Sequence, residues 1–331
     1  MKNIYEIINI DLQLFADMNT QVTSAEGLSD EMKVYYADYL IDNAVPKLVH
    51  DQFGQKHPIP KNGGKTIEFR KYSPLPKLLT ALTEGVTPDG QSLSVSTITA
   101  TVAQYGGYVT LSDMLMLTAI DNNLVQATKL LGNQAGATLD TITREVLNGG
   151  TNVIYSGGKE SRTALTNTDI LTVDDIKKAV RALKTQNAEK IGNSFVAIIH
   201  PDVAYDLTND PKWEAVKTYC EPSDWYEGEI GRIGGCRFVE TTEAKIFAGA
   251  GAGGQAVYST LVLGDNAYGV TEIEGGGLEH IVKQLGSAGT ADALNQRATV
   301  GWKATKVAER LVEQFMVRIE SGCTFNPTEG N

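Results

Sequence analysis

Cysteine is scarce. Cys220, Cys236 and Cys323 are the only three in 331 residues, and no CxxC pair occurs. An odd count without paired spacing argues against a closed disulfide framework and points to free thiols in a reducing compartment. Histidine is nearly as rare, at His50, His57, His200 and His280. None of the four belongs to an HExxH or a paired Cys/His spacing, and no GxSxG occurs. No stretch approaches the ~18 consecutive apolar residues of a membrane span. The apolar tint of residues 1–16 is interrupted by Glu6 and Asp11 and carries one basic residue, Lys2, so it does not read as a signal peptide. Basic charge is also short: 29 Lys and Arg face 40 Asp and Glu, a net of −11. Such a chain lacks the footprint of a nucleic-acid clamp or an anionic-membrane binder. No internal repeat of solenoid or propeller length is present.

What is present suffices for a globular core. Hydrophobic residues make up 42% and charged residues 21%, ordinary for a soluble protein. Glycine, at 33 residues, exceeds the usual ~7% and implies many turns. The charge is uneven: net −5 over residues 1–60, +2 over 61–112, zero over 113–187, −9 over 188–296 and +1 over 297–331. Opposite-sign segments on one chain are what self-association can use for steering, although on these numbers alone a simple drift of surface charge is the favoured reading.

The periodicities place elements along this charge pattern. Residues 31–49 read as a short helix broken near Pro46. Five of ten prolines (Pro58, Pro60, Pro74, Pro76, Pro88) crowd the next stretch, bracketed by alternating β-branched segments at 65–70 and 94–110 that read as strands. The 72–92 connection is too long for a tight hairpin, and loops of that length are usually functional. A spine helix follows, with apolar or small residues at Met114, Leu117, Leu124, Thr128, Leu131, Ala135, Leu139, Ile142 and Val146. Ser112 or Asp113 caps it, and Asn148-Gly149-Gly150 stops it. Thr172-Val173-Asp174-Asp175 is a capping box. It opens a helix with Val173, Ile176, Val180 and Leu183 buried and Lys177, Lys178, Arg181 and Lys184 in water. Strands are expected at 195–199, 237–241, 256–263, 268–273, 278–285, 298–304 and 315–320. A short helix over 201–207 is capped by Asp202. Strands interleaved with few helices give an α+β class.

The chemical near-matches fail on context. Residues 249–254 fit GxGxxG, but a strand follows where a dinucleotide site needs a helix. Gly64-Lys65-Thr66 ends like a phosphate loop, yet Ile59 stands where its first glycine belongs. The carboxylate pairs Asp174-Asp175 and Glu272/Glu274, and His200 at a strand-to-helix turn, have no converging partners. The expectation is no catalytic residue, no metal ligand and no cofactor.

Several scattered segments carry a resemblance: Leu12-Gln13-Leu14-Phe15-Ala16; residues 228–235 (GEIGRIGG) followed by Phe238-Val239-Glu240-Thr241; Val300-Gly301-Trp302-Lys303; and Val317-Arg318-Ile319-Glu320-Ser321. In this order they resemble the major capsid proteins of tailed bacteriophages, and more narrowly the phage N4-type major capsid family with its Hong Kong 97-like fold. The resemblance implies an N-terminal arm (1–60), an extended two-stranded E-loop over a neighbouring subunit (61–112), a peripheral domain with the spine helix (113–187 and 297–331) and an axial domain (188–296). Lys65, Arg70, Lys71 and Lys77 then fall in the inter-subunit loop. Implied partners are further copies in hexamers and pentamers, a separate scaffolding protein, a portal, and double-stranded DNA enclosed without sequence-specific binding, with no membrane. The implied place is the virion head, assembled in the bacterial cytoplasm. Two other functions compete: an encapsulin-type nanocompartment shell, and a soluble enzyme using the 249–254 loop.

Overall fold

The computed structural model describes residues 20–21, 49–82, 84–85, 87, 89–118, 123–213, 232–287, 292–327 and 330. Most of the helix expected over 31–49 lies outside them, as do Cys220 and residues 228–231. In chain order the strands are β1 (Thr20–Gln21), β2 (Gln55–Lys56), β3 (Thr66–Tyr72), β4 (Val95–Thr101), β5 (Ala103–Ser112), β6 (Val153–Tyr155), β7 (Phe195–Ile199), β8 (Arg232–Ile233), β9 (Cys236–Glu240), β10 (Ile246–Phe247), β11 (Val257–Leu263), β12 (Tyr268–Thr271), β13 (Glu279–Lys283), β14 (Arg297–Arg310) and β15 (Met316–Ser321). The helices are α1 (Asp113–Thr118), α2 (Asn123–Asn148), α3 (Val173–Thr185) and α4 (Pro201–Thr208).

These elements fall into two compact units, and α2 and β14 contribute residues to both. The first unit comprises residues 1–47, 105–136 and 278–304. In it, β14 is flanked by β5 and by β13, which is antiparallel to it, and β1 pairs parallel on β5. The Trp302 indole N–H donates to Gln134 Oε1 at 3.1 Å. Gly106 is required by close approach, because a Cβ there would sit 2.7 Å from the Trp302 carbonyl oxygen.

The second unit comprises residues 48–104, 137–277 and 305–331. Its main sheet runs β6-β15-β11-β7-β9-β8, with β10 on β11. Period-two alternation sends the side chains of β7 to both faces, and both are covered. Phe195, Ala197 and Ile199 join Ile176, Val180 and Leu183 of α3 and Val203 and Leu207 of α4. Ile198 joins Leu147 of α2, Leu261, Leu263, Met316 and Tyr268 on the other face. A strand buried on both sides has no reason for polar residues, which is why β7 reads Phe-Val-Ala-Ile-Ile.

Local sequence signals account for the helix starts. Thr172 Oγ1 accepts the Asp175 amide at 3.3 Å, so the expected cap forms, and its hydroxyl donates to the Asp175 carboxylate at 2.8 Å. Two expectations are corrected. The cap of α4 is His200, whose Nδ1 accepts the Asp202 amide at 3.2 Å. Asp202 instead accepts the Tyr258 hydroxyl at 2.6 Å. The spine stripe also changes at its start. Ser112 Oγ accepts the Leu115 amide at 3.2 Å, but it is Leu115 that α1 buries, leaving Met114 and Leu117 exposed. A six-residue helix has a single apolar anchor, and that anchor sets which side faces inward. From Leu124 onward the expected stripe is buried at Thr128, Leu131, Ala135 and Leu139. At 26 residues, α2 is about 39 Å long.

A buried charge cluster joins three parts of the second unit. His50 Nδ1 lies 2.6 Å from Asp140 Oδ2, and the His50 amide donates to Oδ1 at 2.8 Å. Thr143 Oγ1 donates to Asp51 at 2.5 Å. Lys306 of β14 donates to Asp51 and, at 2.8 Å, to the Leu139 carbonyl. The Tyr268 hydroxyl donates to the His50 carbonyl. Burial lowers the Lys306 pKa, and the Asp51 charge opposes that shift.

Two outcomes follow for the isolated subunit. Lys306→Met leaves Asp51 buried without its cation and should cost about 3–5 kcal/mol in urea unfolding, whereas adding Asp51→Asn should recover much of the loss. Burial pushes the Cys236 thiol up to about 12, and burial with a hydrogen bond to Asp206 pushes Cys323 up to about 12. Neither should be alkylated by iodoacetamide at pH 8 in the folded protein, as read by peptide mass spectrometry, while both react in denaturant.

Candidate assembly surface

The extended segment between the prolines is a hairpin. Strands β3 and β4 pair antiparallel through seven registers, from Thr66↔Thr101 to Tyr72↔Val95. A further rung, Ser73 N–H to the Ser94 carbonyl at 3.0 Å, continues the ladder. Alternation settles its base: Ile67, Phe69 and Ile98 are half-buried and Ala100 is buried, while Thr66, Glu68 and Arg70 face water. The Phe69 ring stands edge-on to His57 at 6.0 Å and leans on Gly269, where a Cβ would meet it at 3.2 Å.

Beyond Phe69 the hairpin has no inner face. Arg70, Lys71, Tyr72, Val95 and Ser96 are all exposed. The tip carries Leu75, Leu78, Leu79 and Leu82 at 50%, 76%, 89% and 76% exposure, with Leu93 also in water. Lone surface leucines are ordinary, but a contiguous group marks an interaction site.

The basic residues expected in this loop lie along the same hairpin. Lys65 sits at the foot of β3, its carbonyl accepting the Val102 amide at 2.8 Å. Arg70 pairs with Thr97 and Lys71 with Ser96 across the ladder. Arg70 Nε also donates to Glu68 at 3.3 Å, an exposed pair of small energetic weight. Lys77 stands in the tip among the leucines, exposed. The sequence reading picked out these cations and passed over the leucines, although four leucines within eight residues of a proline-rich loop were there to be seen.

The rest of the surface offers little chemistry. The 249–254 loop ends in a 3₁₀ turn, Ala252–Gly254, followed by β11. The His200 ring lies 5.2 Å from Tyr258, tilted by 54°, and burial lowers its pKa against the raising effect of Asp202. Asp174 is held by Lys212, and Asp175 belongs to the α3 cap. A notch of about 430 Å³ on α3 is lined by Lys177, Arg181, Lys184 and Gly234. Among the described residues, no group of three or more His, Cys, Asp or Glu is placed to hold a metal ion. Among the same residues, no helix is long and apolar enough to cross a membrane.

Comparison with known proteins agrees with a structural surface. No curated protein matches the chain in sequence. In structure it is similar to the "Cyanophage Pam1 capsid asymmetric unit" (TM-score 0.67, 16% identity, 92% of this chain and 96% of that one). It is also similar to the capsid of Ralstonia phage GP4 (0.65, 17%, 84% and 89%). The capsid structure of Helicobacter pylori bacteriophage KHP30 matches over 97% of this chain and 99% of that one, at TM-score 0.54 and 11% identity. The mixed α+β architecture is therefore the Hong Kong 97-like capsid fold. The family model described as "Phage capsid protein" matches residues 95–308. The chain belongs to the phage capsid protein family, as a structural, shell-forming major capsid protein of the tailed-phage type.

Proposed function

We propose that this subunit builds the icosahedral head of a phage N4-type virus, with the β3–β4 hairpin lying over a neighbouring subunit. One observation carries this reading. The outer half of the ladder and its leucine tip have nothing to pack on among the described residues of their own chain. Two-stranded ribbons are marginal alone in water, and a second surface makes them stable.

In this reading residues 1–60 are the arm, 61–112 the E-loop, 113–187 with 297–331 the peripheral domain, and 188–296 the axial domain. Copies gather as hexamers and pentamers in the host cytoplasm, around a separate scaffolding protein and with a portal at one vertex. The head encloses double-stranded DNA without reading its sequence, and an acidic wall suits that, because it does not grip the phosphate backbone. The subunit does no catalysis. Its work is many modest contacts whose multiplicity closes the shell.

Lys65, Arg70, Lys71 and Lys77 give the hairpin a positive edge on a chain of net −11, and they meet acidic surface on the neighbour. Each exposed pair contributes only about 0.2–1 kcal/mol, but the contact repeats around the shell.

Negative-stain microscopy of the protein co-expressed with its scaffold should show closed particles and capsomers. A persistent monomer or dimer would overturn the reading. Arg70→Glu with Lys71→Glu should lower particle yield severalfold while circular dichroism and the urea midpoint stay unchanged. Normal yield would remove the charge contact from the proposal. Uniform genome-sized shells from the purified chain alone would remove the separate scaffold.

A further inference from the structure

The hairpin tip carries a second pattern inside the proposed contact. Leu75, Leu78, Leu79 and Leu82 are spaced i, i+3, i+4 and i+7, the spacing of one face of an α-helix. On a helical wheel they fill an arc of about 100°, with Lys77, Thr80 and Glu84 opposite. The ends are punctuated to match. Pro76 suits the first helical position, and Gly85 suits the position after the last turn. Gly85 already has φ +78°, the left-handed conformation that closes helices there. Leu75, before a proline, is biased away from helical angles, so the helix begins after it.

The lone subunit nevertheless shows no helix at the described residues of this segment, and its leucines stand in water. Physics accounts for both facts. A helix of about nine residues is too short to hold in water on propensity alone and needs an apolar surface to lie on. The described residues of its own chain supply none, while the Ser73–Ser94 rung pins both ends of the loop and reduces the ordering cost of docking.

We infer that the tip winds into a short amphipathic helix, beginning at Pro76 and ending at Gly85, as it docks its leucine face on a second copy of this chain. The inference rests on the hairpin reading proposed above and adds the conformation that makes the contact. The occupant is a second copy because the chain forms shells of itself. The cationic edge around the tip, with Lys71 and Lys77, also complements an acidic chain.

The test uses the full-length protein with its scaffold. Thr80→Ala and Thr80→Pro remove the same hydroxyl on the side away from the leucines. Alanine favours a helix, whereas proline breaks its hydrogen bond to residue 76. Thr80→Ala should assemble at least as well as wild type, and Thr80→Pro should weaken docking by about 100-fold, seen as lost particle yield with an unchanged urea midpoint. In wild-type particles, hydrogen exchange at the amides of Leu79 to Leu82 should slow at least about tenfold relative to the free subunit.

If Leu78→Ser with Leu79→Ser abolishes particles while Thr80→Pro assembles normally and those amides exchange freely, the tip docks extended. The helix is then overturned and the hairpin reading stands. If the double serine variant assembles normally, the hairpin contact itself fails. Slowing of the same amides in monomer mixed with anionic vesicles, and not in particles, would make the partner a lipid surface and overturn the second copy.

Discussion

Two carboxylates, one ammonium and one imidazole share a buried volume in the larger unit, and several of its segments meet there to partner them. Asp51 and His50 arrive from the chain before β2, Asp140 from α2, and Lys306 from β14. Each group alone would strongly resist leaving water. Together, with Thr143, the Leu139 carbonyl and the Tyr268 hydroxyl, they partner every one of these groups except His50 Nε2, which is buried without a hydrogen bond. Such a cluster adds little net stability over an apolar packing of the same volume. Its contribution is positional, because three segments distant in sequence must meet at one register or leave a charge unpaired.

That register carries outward to the assembly surface. Tyr268 reaches the cluster from the start of β12, and the next residue, Gly269, gives the Phe69 ring its seat. The foot of the β3–β4 hairpin therefore stands on the strand that the buried charges fix. If the hairpin reaches a neighbour as proposed, it needs a firm foot, since a small angular error there is multiplied at the tip.

Much of the fold was legible where the signal is local. The Phe-Val-Ala-Ile-Ile run gave β7 at its observed bounds, and the Thr172 box gave the start of α3, because hydrophobic period and capping are decided within a few residues. The His200 cap was missed because imidazole is an uncommon capping acceptor and Asp202 is a common one. Met114 and Leu117 misled because the spine pattern was carried back into α1, whose phase Leu115 sets. The buried cluster was invisible, since His50 and Lys306 announce nothing about each other across the length of the chain. The assembly surface was half legible: alternation gave the strands, charge drew attention to Lys and Arg, and the helical spacing of the leucines went unread because prolines labelled the segment a loop.

The leucine tip gives the subunit a thermal character. Near room temperature the cost of holding apolar side chains in water is almost entirely entropic, and it weakens on cooling. In the proposed contact, warming therefore favours covering the tips. Burying those leucines leaves a negative heat-capacity change, so calorimetry of association carries the signature of this one loop. A shell sewn together by such tips, as proposed, would loosen first in the cold.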